Sequence, residues 1–72
     1  MSFNTISILG LGYIGLPTAA MFASKGKKVI GVDVNQDTVD TINAGKIPIV
    51  EPGLDVMVKK VVDQGFLKAV IS

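Results

Sequence analysis

The sequence predicts an α/β fold, a three-stranded parallel sheet in order 3-2-1 built from a β-α-β-α-α-β succession. Three observations carry that expectation. Short β-branched runs alternate with longer segments whose apolar residues recur at helical spacing, a pattern that builds parallel sheets through crossover helices. The run Gly10-x-Gly12-x-x-Gly15, "GLGYIG", stands where the first strand gives way to the first helix. An acid, Asp33, closes the second strand about 20 residues further on.

The elements follow in order. Residues 5–9, "TISIL", read as a buried strand that stops at Gly10. From Ile14 the period changes: Ile14, Ala19, Phe22 and Ala23 fall near one helical face, and Gly26 ends the helix. Pro17 fits only in that helix's first turn, where backbone N–H groups lack partners inside the helix. Residues 28–33, "KVIGVD", form the second strand. Asn35 is a good N-cap for a helix through Val39 and Ile42 that ends at Gly45. In "KIPIVEPGL", residues 46–54, two prolines and a glycine exclude a regular element, and Pro52 is placed to open the next helix from its first position. Leu54, Val58, Val61 and Val62 give that helix its apolar stripe, and Gly65 ends it. Residues 66–71, "FLKAVI", are the third strand. Met21, Phe22 and Met57 are expected in the core, Lys25, Lys27 and Lys28 at a solvated helix end, and Glu51 at a helix start.

Right-handed crossovers place all the helices on one face of the sheet. Both faces of the strands nevertheless look apolar: Ile6 and Ile8 against Leu9, Val29 against Ile30 and Val32, Leu67 and Ala69 against Val70. Two apolar faces with helices for one imply that a further layer is missing.

Composition narrows the chemistry. The chain has 72 residues, a size that buries only about 60% of its unfolded surface. Its net charge is +1, which gives no electrostatic case for nucleic acid or an anionic membrane. Every basic residue is Lys, so no guanidinium fork is present to clamp a phosphate or carboxylate. With no Cys and no His, the chain lacks a thiol nucleophile, a thiolate metal site and the usual neutral-pH proton carrier. Met1 to Ser24 carries no charge, yet "MSFNT" lacks the Lys or Arg of a signal peptide. A membrane span would have to absorb Gly10, Gly12, Gly15 and Pro17 in one short stretch.

The glycines have a better explanation. In a strand–turn–helix context this spacing predicts a dinucleotide cradle, and hence a Rossmann-type half-domain. Gly10 permits the tight turn, Gly12 lets a pyrophosphate approach the backbone, and Gly15 lets the helix pack closely on the sheet. The N–H groups of Tyr13 and Ile14 then face phosphate oxygens at the positive end of the helix. Without a ligand the same run is only a turn, and Tyr13 only packs over a loop. Asp33 favours the cradle, because an acid there hydrogen-bonds a ribose hydroxyl. It would repel a 2′-phosphate, and no Lys or Arg lies between Val34 and Gly45 to receive one, so NAD is favoured over NADP.

"ISILGLGYIGLPTAAMFASKGKKVIGVDVN", together with "IPIVEPGL", resembles the N-terminus of the UDP-glucose/GDP-mannose dehydrogenase family over essentially the whole chain. The resemblance implies a cytoplasmic enzyme that oxidises the C6 alcohol of a nucleotide-linked sugar to a carboxylate with two NAD, supplying surface polysaccharides. It implies cofactor-binding roles for Gly10, Gly12, Tyr13, Ile14, Gly15 and Asp33. The family's catalytic Cys and its supporting residues lie downstream of anything matched here, so no catalytic residue is assigned. Residues 1–72 are therefore expected to be the adenosine-side half of an NAD-binding domain, inactive alone and prone to homo-oligomerise so as to cover the open edge of the first strand or the bare sheet face, by antiparallel edge pairing, face-to-face packing or a third arrangement. The third pairs the first strand with its own copy about an approximate two-fold axis along the strands. A non-enzymatic NAD-sensing module would share the glycine turn and Asp33, although "EPGL" and the lack of a basic DNA-reading element argue against it. A hydroxyacid or hydroxyacyl dehydrogenase with a similar start, and a flavoprotein, are further alternatives.

Overall fold

The computed structural model describes residues 5–72. Its elements are β1 (Thr5–Leu9), α1 (Gly15–Ser24), β2 (Lys28–Asp33), α2 (Gln36–Asn43), α3 (Leu54–Asp63) and β3 (Leu67–Ile71). The sheet is parallel, with β2 between β1 and β3, the expected 3-2-1 order. Ile8 stands beside Gly31, and Gly31 beside Ala69.

One sheet face carries the core. Val29, Leu67 and Ala69 are buried there against Leu16, Ala19, Ala20 and Ala23 of α1, Val39 and Ile42 of α2, and Leu54, Val58 and Val61 of α3. Ile6 and Ile8 pack against the margin of the same cluster. The alanines of α1 let that helix approach the sheet closely. The opposite face is less apolar than expected. Thr5, Ser7, Lys28 and Lys68 alternate into it and are exposed, as are Leu9 and Ile30. Among the described residues no helix covers it.

Several expectations need correction. Ile14 is 83% exposed and lies outside the buried face of α1. It is the N-cap residue, so its side chain precedes the helical repeat, and Leu16 and Ala20 fill the face instead. Pro52 does not open α3. The helix begins at Leu54, Gly53 is its N-cap in the left-handed region, and the Leu54 N–H donates to the Glu51 carbonyl. Met21 and Met57 are 44% and 38% exposed, and both line a surface depression instead of the core. Phe22 packs against the core margin. Asn35 does cap α2: its side chain accepts from the Thr38 N–H at 3.2 Å.

The two sheet edges differ. The Gly10 N–H donates to the Val32 carbonyl, the Val29 N–H to the Phe66 carbonyl and the Ser72 N–H to the Asp33 carbonyl. Backbone groups alternate sides along a strand, so Thr5, Ser7 and Leu9 turn theirs to the outer edge of β1, and Leu67, Ala69 and Ile71 to that of β3. At β3 the Asn43 amide fills the gap: its Nδ2 donates to the Ala69 carbonyl and its Oδ1 accepts from the Ala69 N–H, both at 2.8 Å. No side chain does this for β1 among the described residues.

A candidate dinucleotide site

The site is built where β1 ends. Gly10 has φ +88°, a conformation that favours glycine, and its N–H still pairs with β2. Leu11 then turns inward and is buried. Gly12, Tyr13 and Ile14 follow on the surface, and α1 starts at Gly15. A Cβ on Gly15 would land on the Gly10 carbonyl, so only glycine lets helix and strand end meet so closely. A Cβ on Gly12 would meet nothing within 4 Å, which leaves its backbone open to a ligand.

The donors are in place. Leu16 N–H donates to the Gly12 carbonyl and Thr18 N–H to the Ile14 carbonyl, while Pro17 has none to give. Among the described residues, the N–H groups of Gly12, Tyr13, Ile14 and Gly15 find no acceptor. Unpaired N–H groups at a helix N-terminus, on a backbone a ligand can reach, bind anions. The Tyr13 side chain is 69% exposed.

Asp33 joins the site from the end of β2. Its Oδ2 accepts from the Leu11 N–H and its Oδ1 from the Asn35 N–H, both at 2.9 Å. The Leu11 N–H and then the Asn35 N–H hold the carboxyl below its ordinary value against a smaller opposing effect of burial, with a lesser contribution from the Val34 N–H. Each oxygen keeps a lone pair for a ribose hydroxyl. A depression of about 200 Å³ adjoins it at the carboxyl ends of the strands, lined by Leu9, Gly10, Val32, Asp33, Val34 and Ser72. Open α/β sheets bind ligands at this end.

The six expected residues thus stand along one segment and its neighbouring strand end. Sequence reasoning missed Leu11, which occupies a variable place in the motif yet ties the loop to both Asp33 and the sheet. Its signal was the glycine at position 31, inside an otherwise β-branched strand, which marks a close approach. Glu51 lines a second depression of about 300 Å³, with Pro17, Met21 and Met57. Among the described residues no cluster of three or more His, Cys, Asp or Glu is placed to hold a metal, and no helix is long and apolar enough to cross a membrane.

Comparison with known proteins decides the family. Residues 4–72 match the profile of the UDP-glucose/GDP-mannose dehydrogenase family, NAD binding domain. The chain belongs to this family. It is 67% identical over 67 residues to UDP-N-acetyl-D-mannosamine dehydrogenase of Campylobacter jejuni, which covers 93% of this chain and 16% of that protein. Against the protein of the same description from Yersinia pestis it is 69% identical over 70 residues, covering 97% and 17%. The native structure of UDP-N-acetyl-mannosamine dehydrogenase from Staphylococcus aureus superposes with a TM-score of 0.89 at 48% identity, over 92% of this chain and 16% of that one. A ternary complex of GDP-mannose dehydrogenase from Pseudomonas aeruginosa superposes equally well, with a TM-score of 0.89 at 43% identity, over 94% and 15%. The chain spans about a sixth of the length of the relatives it matches. Membership in this family makes NAD the cofactor of the segment, and the cradle fits it: the open backbone at Gly12, the free N–H groups and the Asp33 carboxylate each suit one part of an adenosine diphosphate.

Proposed function

We propose that residues 1–72 form the adenosine-side half of the NAD-binding domain of a nucleotide-sugar 6-dehydrogenase, with UDP-N-acetyl-D-mannosamine as the sugar substrate. The observation that carries the reading is the row of four unpaired N–H groups from Gly12 to Gly15, one residue from the Leu11–Asp33 bond. Identity of 67–69% to proteins described as UDP-N-acetyl-D-mannosamine dehydrogenase supports the choice of sugar. In this reading the parent enzyme oxidises the C6 alcohol to a carboxylate with two NAD, in the cytoplasm, for surface polysaccharide synthesis.

Each residue then has a task. The N–H groups of Tyr13 and Ile14, flanked by those of Gly12 and Gly15, hold the pyrophosphate. Gly10 and Gly15 set the turn that aims them. The Asp33 carboxylate accepts from the ribose hydroxyls and disfavours a 2′-phosphate. When bound, NAD supplies the acceptor for the hydride leaving the sugar. No catalytic residue is assigned within the chain. The partners are the nucleotide sugar, acting on the parent enzyme, and a second copy of the chain, with neither nucleic acid nor membrane involved.

Calorimetric titration with NAD and NADP tests the reading, and tighter binding of NAD is expected. Equal affinity for the two would remove Asp33 from the cofactor site. Incubation of the 72-residue chain with NAD and a panel of UDP-sugars is expected to yield no NADH. Turnover above background in a preparation free of host dehydrogenase would overturn the half-domain reading.

A further inference from the structure

Leu11 is the one buried residue of the glycine loop, at 1% exposure. Its backbone and its side chain hold different things. The N–H donates to Asp33 Oδ2 at 2.9 Å. The side chain lies flat on the middle strand: a Cβ at Gly31 would come within 2.5 Å of Leu11 Cδ2 and 2.8 Å of Cδ1. Gly31 is flanked by Ile8 and Ala69, so this contact falls in the middle of the sheet rather than at a margin. A glycine weakens a strand by both entropy and lost packing, and its presence here needs a compensating contact. Leu11 is that contact.

The consequence reaches the free donors. Gly10 is pinned by its N–H to Val32, and Leu11 by its N–H to Asp33 and by its side chain on Gly31. The next residue, Gly12, begins the row of unpaired N–H groups. Among the described residues these donors meet no acceptor, so no hydrogen bond of their own fixes where they point and their orientation is set from either side. On one side α1 supplies the support, and on the other side Leu11 does.

We infer that Leu11 and Gly31 act as a peg and slot that position the Gly12–Gly15 N–H groups for the pyrophosphate, making both positioning residues for the cofactor. The inference rests on the dinucleotide reading of the loop. It assigns a function to a glycine inside β2, two residues before Asp33, that touches no ligand itself. It also couples Asp33 to the loop, since the amide that the peg presents is the one the carboxylate accepts.

The test is a set of variants of the intact protein, each titrated calorimetrically with NAD and followed by amide exchange over residues 9–16. Gly31→Ala puts a methyl group where the Leu11 δ carbons lie. It is expected to weaken NAD binding about tenfold or more and to speed exchange across the loop. Leu11→Val in the same chain removes the δ carbons and conserves total volume, so the double variant is expected to return to within about threefold of the original affinity. Val61→Ala, a buried truncation on α3, is expected to lower the melting temperature without moving the NAD affinity. Should Gly31→Ala fail to fold, Leu11→Ala removes the peg without crowding the sheet and is expected to show the same loss of affinity. Failure of the original protein to bind NAD would sink the dinucleotide reading and this inference with it. Normal binding by that protein, with unchanged affinity in Gly31→Ala or Leu11→Ala, would overturn the inference alone. So would failure of the double variant to recover, or an equal loss of affinity in Val61→Ala.

Discussion

Asp33 holds two backbone N–H groups with one carboxylate and keeps lone pairs for a ligand. Its lowered pKa makes stability depend on acid. The folded state binds that proton less readily than the unfolded state. The contribution is therefore complete above the ordinary carboxylate value, near 4, and is lost as pH falls through the depressed folded value. Thermal unfolding between neutral pH and about pH 2 checks this: the acid-side fall in melting temperature is expected to be shallower in Asp33→Asn. An identical slope in the two proteins would mean that the carboxylate is not held as described. The same variant keeps one acceptor but loses the charge, so it is also expected to narrow the preference for NAD over NADP. Asp33→Ala is the poorer probe of cofactor choice, because it frees the Leu11 and Asn35 N–H groups together with the ribose. Gly15 makes a sharper steric prediction. Its missing Cβ faces a backbone carbonyl, which yields far less than a side chain would. Gly15→Ala is expected to cost about 1–3 kcal/mol of stability by overpacking, measured by urea unfolding. A loss below a few tenths would show that the strand end can move aside.

At the scale of elements, α2 and β3 are joined by a side chain acting as a strand. The Asn43 amide offers one donor and one acceptor in the orientation of a peptide group, and Ala69 takes both. This explains why the last residue of α2 is polar where the helix meets the sheet edge. Asn43→Ala strands one N–H and one carbonyl that are partly withdrawn from water, at a cost of about 1–3 kcal/mol. In a domain this small, each kcal/mol lowers the melting temperature by about 4–8 °C. Asn43→Asp is expected to be worse, because a carboxylate oxygen would replace the Nδ2 donor and face the Ala69 carbonyl. Calorimetric melting of the two variants decides the order, and an Asp variant as stable as the original would deny the bond its role. The variants are also expected to aggregate more readily, since they open a strand edge that the Asn43 side chain otherwise occupies.

For the whole molecule the asymmetry of the edges matters more than the bare face. The outward groups of β3 are met at Ala69, while among the described residues nothing meets those of Thr5, Ser7 and Leu9 on β1. An open edge selects a strand as its partner. The 72-residue chain is expected to self-associate through β1, and sedimentation velocity checks it: a folded monomer at high micromolar concentration would overturn the expectation. The backbone pattern also constrains the geometry. A two-fold axis along the strands sets Ser7 opposite Ser7, whereas parallel pairing needs an outward residue opposite an inward one. That arrangement therefore requires a slide of one residue and loses exact symmetry. Antiparallel pairing about an axis normal to the sheet closes with Ser7 facing Ser7 and Thr5 facing Leu9, and leaves both helical layers on one side.

The succession of elements, the parallel sheet and the glycine turn at the strand–helix junction are legible in the sequence because each rests on local chemistry. Alternation of β-branched runs with helical stripes, Asn35 as a cap, and Gly10, Gly12 and Gly15 at a strand–helix junction act over a few neighbouring residues. The sequence places the start of α1 one residue too early, at Ile14, because an apolar side chain at an N-cap looks like part of the stripe that follows it. Met21 and Met57 depart from the expected core for a related reason: hydropathy says that a side chain prefers to be buried, not whether its helix turns it toward the sheet. What required tertiary structure are contacts between residues far apart in sequence. Leu11 with Gly31 and Asp33, and Asn43 with Ala69, form only when the crossovers bring one strand end or helix end against another. A leucine between two glycines and an asparagine at a helix end carry no local mark of those partners, since the partners are selected by strand order and register, which the packing of the whole sheet decides.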